Sequence, residues 1–427
     1  MLFYSTKNQK IKEGFVNAMI MGPSKDGGLF MPEHIPVLDP GWIRALEGAT
    51  IQTIAKKVIL PFVGIPPSDL GGIVERAFNF PAPLQKVGDF QFLELFHGPT
   101  LAFKDFGARF MAQTMSFFRP ESKIMNILVA TSGDTGGAVA SAFNGLEGFR
   151  VFILFPKGKV SPLQQRQLTT WEDNVQALEV DGAFDDCQKL VKLAFADQEL
   201  RKKKIFASAN SINIARLIPQ MVYYFEAYKQ APDKRELNVI VPSGNFGNLT
   251  AGLLAKKMGL PIAQFVAATN INDIVPQYLF SGVYSPRVSR ETLSNAMDVG
   301  DPSNFVRMLD LYKGEDERST WNNMKKDLNA HVVDDKTTLQ NIREVFERWG
   351  YIMDPHTAVA YDAAKANPGN NIIVSTAHWA KFAETIKKAI GVIPPIPGAL
   401  SHLMDKTERV IPIQARYEDL LGVIGGE

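Results

Sequence analysis

The sequence contains one cysteine, Cys187, among 427 residues. No internal disulfide can form, and a cysteine-rich metal site is excluded; no metal site is expected. That usage fits a reducing compartment, and a cytoplasmic location is expected. An excess of one charge is also missing. The chain has 46 Lys and Arg against 45 Asp and Glu, a formal net charge of +1, without a basic block. Nucleic acid is therefore not an expected partner. No window approaches 18 consecutive apolar residues, so no transmembrane helix and no membrane partner are expected. The first 15 residues have no apolar core of signal-peptide type, and no secretory leader is expected. Neither a GxxxxGK(S/T) phosphate loop nor a GxGxxG fingerprint occurs, which argues against a nucleotide-dependent dehydrogenase.

What is present is an ordinary globular composition, 45% hydrophobic and 21% charged. A chain of 427 residues exceeds a single core and predicts two or three lobes. Residues 1–80 show little chemistry; 26–32 read as a turn and an apolar plug, and 41–77 as short helices broken at Pro61 and at Pro66-Pro67. From residue 90 apolar runs of strand length alternate with helical stretches. Strands are predicted at 92–96, 124–130, 151–155, 175–180, 237–241, 265–268 and 372–376. Helices are predicted from Lys104 and at 138–143, 162–171, 184–203, 212–229, 249–258, 337–349 and 381–390. Apolar strands separated by helices imply parallel sheets covered on both faces. No topology is assigned to 271–330, and prolines from 394 mark the start of a tail. The expected division is 1–90, 91–230 and 231–427.

Four stretches could carry chemistry. In His97-Gly-Pro-Thr-Leu-Ala-Phe-Lys104-Asp-Phe-Gly107 a lone lysine opens a helix whose apolar face is Phe106, Phe110, Met111, Met115, Phe117 and Phe118. Desolvation and the positive end of a helix both disfavour an ammonium there, and a neutral amine suits Schiff-base chemistry. The competing reading is a snorkelling lysine paired with Asp105 or a neighbour. Two glycine loops, 132–137 and 243–248, each follow an apolar strand and open a helix, where free N–H groups suit a phosphate. Asp134 would repel an anion from the first, so the second is the better cradle. Each could equally be an ordinary tight turn. In the third stretch, 208–216, Asn210, Ser211 and Arg216 fit a phosphate or carboxylate, or else a helix cap with a surface ion pair. The fourth, 375–381, places Thr376 at a strand end, where ligands of open α/β sheets bind. His378 is assigned no catalytic role.

Taken together, DGGLFMP, LELFHGPTLAFKDFG, ATSGDTGGAVA, SANSINIARL, PSGNFGNLTAG, LSNAMDVG and TAHWAKF resemble the long bacterial and fungal form of threonine synthase. The match spans nearly the whole chain in the family's order. It implies an α/β enzyme of pyridoxal-phosphate fold type II, similar to the tryptophan synthase β chain. Two open, mostly parallel twisted-sheet domains and a small N-terminal domain are then expected. It implies pyridoxal 5'-phosphate as cofactor and O-phospho-L-homoserine as substrate, converted with water to L-threonine and phosphate by γ-elimination and β-addition of water. By resemblance, Lys104 is the Schiff-base lysine and proton shuttle. Gly244, Asn245, Phe246, Gly247 and Asn248 correspond to the cofactor-phosphate loop, and Thr376 to the hydroxyl at the pyridine nitrogen. Ser132, Asp134 and Thr135 correspond to the substrate-carboxylate loop, and Ser211 and Arg216, with Thr135, to groups on the substrate phosphate. Many relatives of the fold type carry Asn where Asp134 stands. The rival within the fold type is a phospholyase or a serine/threonine dehydratase that releases a 2-oxo acid. A binding protein without catalysis would tolerate loss of Lys104. A monomer or homodimer is expected.

Overall fold

The computed structural model describes residues 1–426 other than His402, with only the backbone of Ala399. Three sheets organise it. Leu2–Ser5, Lys12–Gly14 and Phe30–Pro32 form a small antiparallel sheet with Leu2–Ser5 in the middle. A five-stranded sheet runs Ile411–Gln414, Val175–Asp181, Phe149–Pro156, Met125–Ala130, Ile205–Ser208, all neighbours parallel. A six-stranded sheet runs Leu328–Val332, Gln264–Thr269, Asn238–Pro242, Asn371–Ser375, Phe90–Glu94, Leu84–Val87. It is parallel except for its last pair.

Every predicted strand has an observed counterpart, because continuous apolar runs such as Met125–Ala130 are buried at each position. The chain, however, exchanges strands between the sheets. Phe90–Glu94 lies beside Asn371–Ser375, and Ile411–Gln414 beside Val175–Asp181. The expected boundaries at 90 and 230 follow chain order, whereas the sheets cross it. The segment after Pro394 is no loose tail, since it supplies an edge strand and the Tyr417–Ile424 helix.

Other differences are local. Pro61 lies inside the Ile51–Val63 helix near its end, where the helix stops at left-handed Gly64. The predicted 184–203 helix is two, Phe184–Ala196 and Gln198–Lys203, and Asp197 caps the second. The predicted 212–229 helix is interrupted by a 3-10 turn, Ile218–Met221, that contains Pro219. Residues 271–330 hold the helices Ile274–Ser281, Phe305–Leu311 and Glu317–Asp327 and the strand Leu328–Val332. These helices are short, and the last buries only Thr320 and Met324, which leaves little apolar periodicity to read.

The Lys104–Phe118 helix crosses the largest core. Phe106 is fully buried against Phe78, Phe80 and Tyr223, with the Phe80 ring 4.8 Å away edge-on. Burial of such a ring contributes about 1.5–3 kcal/mol. Phe110, Met111 and Met115 are buried as well, whereas Phe117 is 44% exposed. The N-terminal domain is fastened to this core by Arg307, which is fully buried. Its guanidinium donates to Phe30 O at 3.1 Å, Ile212 O at 2.7 Å and Asn304 Oδ1 at 2.6 Å. Thus the apolar plug, the 211–213 loop and a helix of the 271–330 region meet at one side chain.

Candidate active site

A cavity of about 850 Å3 lies where the carboxyl ends of the two parallel sheets face each other. The twelve residues assigned above all line it: Lys104, Ser132, Asp134, Thr135, Ser211, Arg216, the run Gly244 to Asn248, and Thr376. Three backbone contacts set the position of Lys104. Phe103 N donates to Thr376 O at 2.9 Å, His378 N donates to Leu101 O at 3.1 Å, and Ala102 bridges Ala377. The strand end carrying Thr376 is thereby zipped to the turn that opens the lysine helix. Asp105 completes the turn, its two oxygens accepting from Thr100 N and Thr100 Oγ1 at 2.9 and 2.7 Å. Burial pushes the Asp105 carboxyl up to about 6, against the pull of those hydrogen bonds. Asp105 therefore faces Thr100, and Lys104 is not its ion-pair partner.

Lys104 stands at the first position of its helix, its side chain 15% exposed to the cavity. Burial is the main cause that holds its amine below the ordinary proton affinity of lysine. The charges of Lys381 and Arg216 act the same way, and Asp134 opposes them. Asp134 Oδ2 is 3.6 Å from Lys104 Nζ, and Asp134 Oδ1 is 2.7 Å from Lys381 Nζ. Lys381 is 0% exposed at its side chain and donates also to Thr100 O at 2.9 Å. Gln164 Nε2 gives Asp134 Oδ1 a further hydrogen bond at 2.9 Å. Burial alone would raise the Asp134 carboxyl, but Lys381, Lys104 and these hydrogen bonds together hold it well below the usual carboxylate range. Lys381 and Gln164 were not singled out from sequence. The only signal for Lys381 is its place five residues after Thr376 in TAHWAKF.

The loop 243–248 is built to leave donors free. A Cβ on Gly244 would come within 2.6 Å of Ala296 O and 2.7 Å of Met297 Cα, so the 295–297 turn is pressed onto a residue without a side chain. Phe246 is left-handed at φ 59° and buried, an uncommon conformation for a ring-bearing residue and one found at ligand clamps. Asn248 braces the loop: Oδ1 accepts from Ser243 Oγ at 2.6 Å, and Nδ2 donates to Pro242 O at 2.9 Å. Asn245 Oδ1 accepts from Ser303 N at 3.1 Å. Among the described residues the N–H groups of Gly244, Asn245 and Phe246 find no acceptor. The Gly247–Lys257 helix has no side-chain cap. Free donors at an uncapped helix start suit a phosphate, and pyridoxal 5'-phosphate fits them.

His356 holds the 295–297 turn from behind. Its Nε2 accepts from Ala296 N at 3.2 Å while its Nδ1 lies 2.7 Å from Asp354 Oδ1, so the ring proton resides on Nδ1. Arg216 is buried, donates through Nη1 to Ala209 O at 2.7 Å, and leaves Nε without a partner. Burial brings its guanidinium down to about 10. It is not a surface residue, and among the described residues it forms no ion pair. Gly107 permits the approach, since a Cβ there would meet Arg216 O at 2.8 Å. His378 plays a structural part: its Nδ1 accepts from Ala380 N at 3.2 Å and its ring meets Phe96 edge-on.

Three family models tile the chain. Threonine synthase N terminus matches 2–78, pyridoxal-phosphate dependent enzyme matches 83–375, and threonine synthase C-terminal matches 357–424. The chain belongs to the threonine synthase family. It is 46% identical to threonine synthase of Escherichia coli K12 over 95% of each chain. It is 36% identical to that of Saccharomyces cerevisiae over 91% of this chain and 89% of the yeast one. The crystal structure of the Escherichia coli threonine synthase superposes with a TM-score of 0.93 at 44% identity, covering 100% of this chain and 99% of the other. A pyridoxal-phosphate-bound threonine synthase from Brucella melitensis matches with a TM-score of 0.93 at 37% identity over 99% and 98%. A threonine deaminase from Solanum lycopersicum, at 14% identity and a TM-score of 0.57, shares the fold alone. The threonine synthase family has fold type II, its cofactor is pyridoxal 5'-phosphate, and this chain is a lyase of that family with threonine synthase activity. No helix among the described residues is long and apolar enough to cross a membrane.

Proposed function

We propose that the 850 Å3 cavity converts O-phospho-L-homoserine and water to L-threonine and phosphate, with Lys104 as the group that holds the cofactor and moves protons. The observation that carries the assignment is geometric: the Lys104 side chain opens into the same cavity as the free N–H groups of the 244–246 loop. The cofactor, when bound, supplies an electron sink that makes the substrate α-proton acidic. Gly244, Asn245, Phe246, Gly247 and Asn248 would hold its phosphate, and Thr376 would offer a hydroxyl to its ring nitrogen. A neutral hydroxyl there leaves that nitrogen unprotonated.

The freed Lys104 amine would take the proton from substrate Cα and then one from Cβ; phosphate departs from Cγ, a proton is delivered to Cγ to make the methyl group, the hydroxyl of water adds at Cβ, and a proton returns to Cα. Ser132 and Thr135 receive the substrate carboxylate. Asp134 belongs to the same loop, but its charge would repel that carboxylate. Its two oxygens already face Lys104 and Lys381, so its part is to set the charge around Lys104. Ser211 and Arg216, with Thr135, hold the substrate phosphate, and the unpartnered Arg216 Nε is a donor for it. The three units 1–90, 91–230 and 231–427 work together around this cavity, in the cytoplasm, as a monomer or homodimer.

The deciding experiment is the visible spectrum of the purified protein, then addition of O-phosphohomoserine with products identified. A yellow, borohydride-reducible chromophore with threonine and phosphate formed is the expected result. Phosphate with 2-oxobutyrate would make the protein a phospholyase instead. Absence of a chromophore after added pyridoxal phosphate would reject the site assignment.

A further inference from the structure

A second cavity, of about 300 Å3, backs onto the first. The two share Ala130, Asn210, Ser211 and Asn245 as a common wall. Its outer rim comes from the N-terminal domain at Met21 to Gly27 and from the Phe184–Ala196 and Gln198–Lys203 helices. Three cations line it, Lys25, Lys192 and Arg201, and no carboxylate does so among the described residues. No ion pair of the described residues involves any of the three. Arg201 has only a long contact to Phe195 O at 3.5 Å.

A second observation points to a ligand. Ser24, 4% exposed, lies in this wall; its buried Oγ makes no hydrogen bond of good geometry, and its nearest acceptor is the Asp26 carboxylate, which it helps to hold below the usual carboxylate range. The loop that presents it is tightly held. Ser24 N donates to Gly28 O and Gly27 N to Ser24 O, both at 2.8 Å, and Asp26 accepts from Ser5 Oγ at 2.7 Å. A Cβ on Gly28 would fall 2.1 Å from Ser5 Oγ, so this turn requires glycine there.

We propose that this cavity is a phosphate site, and that it receives the phosphate dianion released by the reaction. The proposal rests on the reading that Ser211 and Arg216 hold the substrate phosphate. Phosphate freed there lies at the wall common to both cavities. Three cations without ion-pair partners among the described residues, on the far side of that wall, favour its departure in that direction. The DGGLFMP turn and the N-terminal domain thereby gain a function in product release.

The test uses the holoenzyme and inorganic phosphate. Titration calorimetry should find two phosphate sites per wild-type chain. Lys192→Ser with Arg201→Ser should remove one, and Arg216→Ala the other. A phosphate-sensor transient should show phosphate release slowed at least about fivefold in the double variant, with KM for O-phosphohomoserine within about twofold of wild type. Lys387→Ser with Lys388→Ser, two exposed lysines far along the chain, controls for the loss of two charges and should change nothing. Two sites retained in the Lys192 and Arg201 variant, or release as fast as in wild type, would overturn the proposal. Two sites retained in Arg216→Ala would instead overturn the reading of the substrate phosphate.

Discussion

Lys381 Nζ lies 2.7 Å from Asp134 Oδ1, and the second oxygen of the same carboxylate lies 3.6 Å from Lys104 Nζ. Asp134 thus stands between two lysines of opposite task. One pairs with its carboxylate, and the other has to give up and take back a proton. Removing Lys381 leaves a buried carboxylate whose one remaining ion-pair partner among the described residues is the reactive lysine. Lys381→Met should destabilise the fold by about 3–5 kcal/mol, the usual cost of one missing partner in a buried pair. Lys381→Met with Asp134→Asn should recover much of that loss in denaturant unfolding. In the single variant the pH titration of the chromophore should also move upward, because the carboxylate then favours the protonated lysine. A titration unchanged from wild type would show that the pair does not act on Lys104.

Lys104 is the more distant of the two lysines on Asp134, and Lys381 at 2.7 Å with Gln164 still compensates that carboxylate without it; its backbone opens the helix and its side chain faces the cavity. Lys104→Ala should therefore keep the fold, lose the borohydride-reducible absorbance, and lose activity by at least about 10²–10⁴, the range for a proton-transfer group. A reducible chromophore that persists would place the cofactor on another amine.

Arg216 donates one hydrogen bond to Ala209 O and keeps Nε free. A charge-assisted hydrogen bond to a ligand is worth about 1.5–3 kcal/mol, which corresponds to roughly 10–150-fold. Arg216→Ala should raise KM for O-phosphohomoserine by that factor and leave the cofactor spectrum unchanged. Arg216→Lys should fall between, because it keeps the charge and loses the fork. Equal KM values in all three proteins would remove Arg216 from the substrate site.

Asp105 carries a carboxyl raised from 3.8 to about 6 in the fold. A raised value means that the folded state binds the proton more tightly than the unfolded chain. Its favourable contribution is complete below pH 3.8 and is lost as pH rises through about 6. The displacement corresponds to about 3 kcal/mol. Against Asp105→Asn as reference, which has no titrating group there, wild type should gain relative stability between pH 7 and pH 5. Parallel stability curves for the two proteins would contradict this assignment.

Much of the fold was legible in short windows. Runs such as 124–130 and 151–155 are apolar at every position because both faces of their sheet are covered, and that requirement is local to the strand. The helix of Lys104 was legible from its apolar spacing, although Phe117 proved to be solvent-facing at the last turn. The helices of 271–330 were not, because they are short and mostly polar outward. The division at 90 and 230 follows the order of the chain, and it could not show Ile411–Gln414 returning to a sheet whose other strands lie more than 200 residues earlier.

The sequence by itself determined which residues could do chemistry: a lysine at a helix start, two glycine turns after strands, and a hydroxyl at a strand end. Spacing along one strand or one helix conveys that much, since each of those conformations is set by near neighbours. Only the tertiary structure decided what balances their charges. Lys381 meets Asp134 across 247 positions of the chain, and Arg307 joins Phe30 O to Ile212 O. Neither partner leaves a periodic or local trace, because a buried charge is compensated by whatever the fold brings within about 3 Å of it.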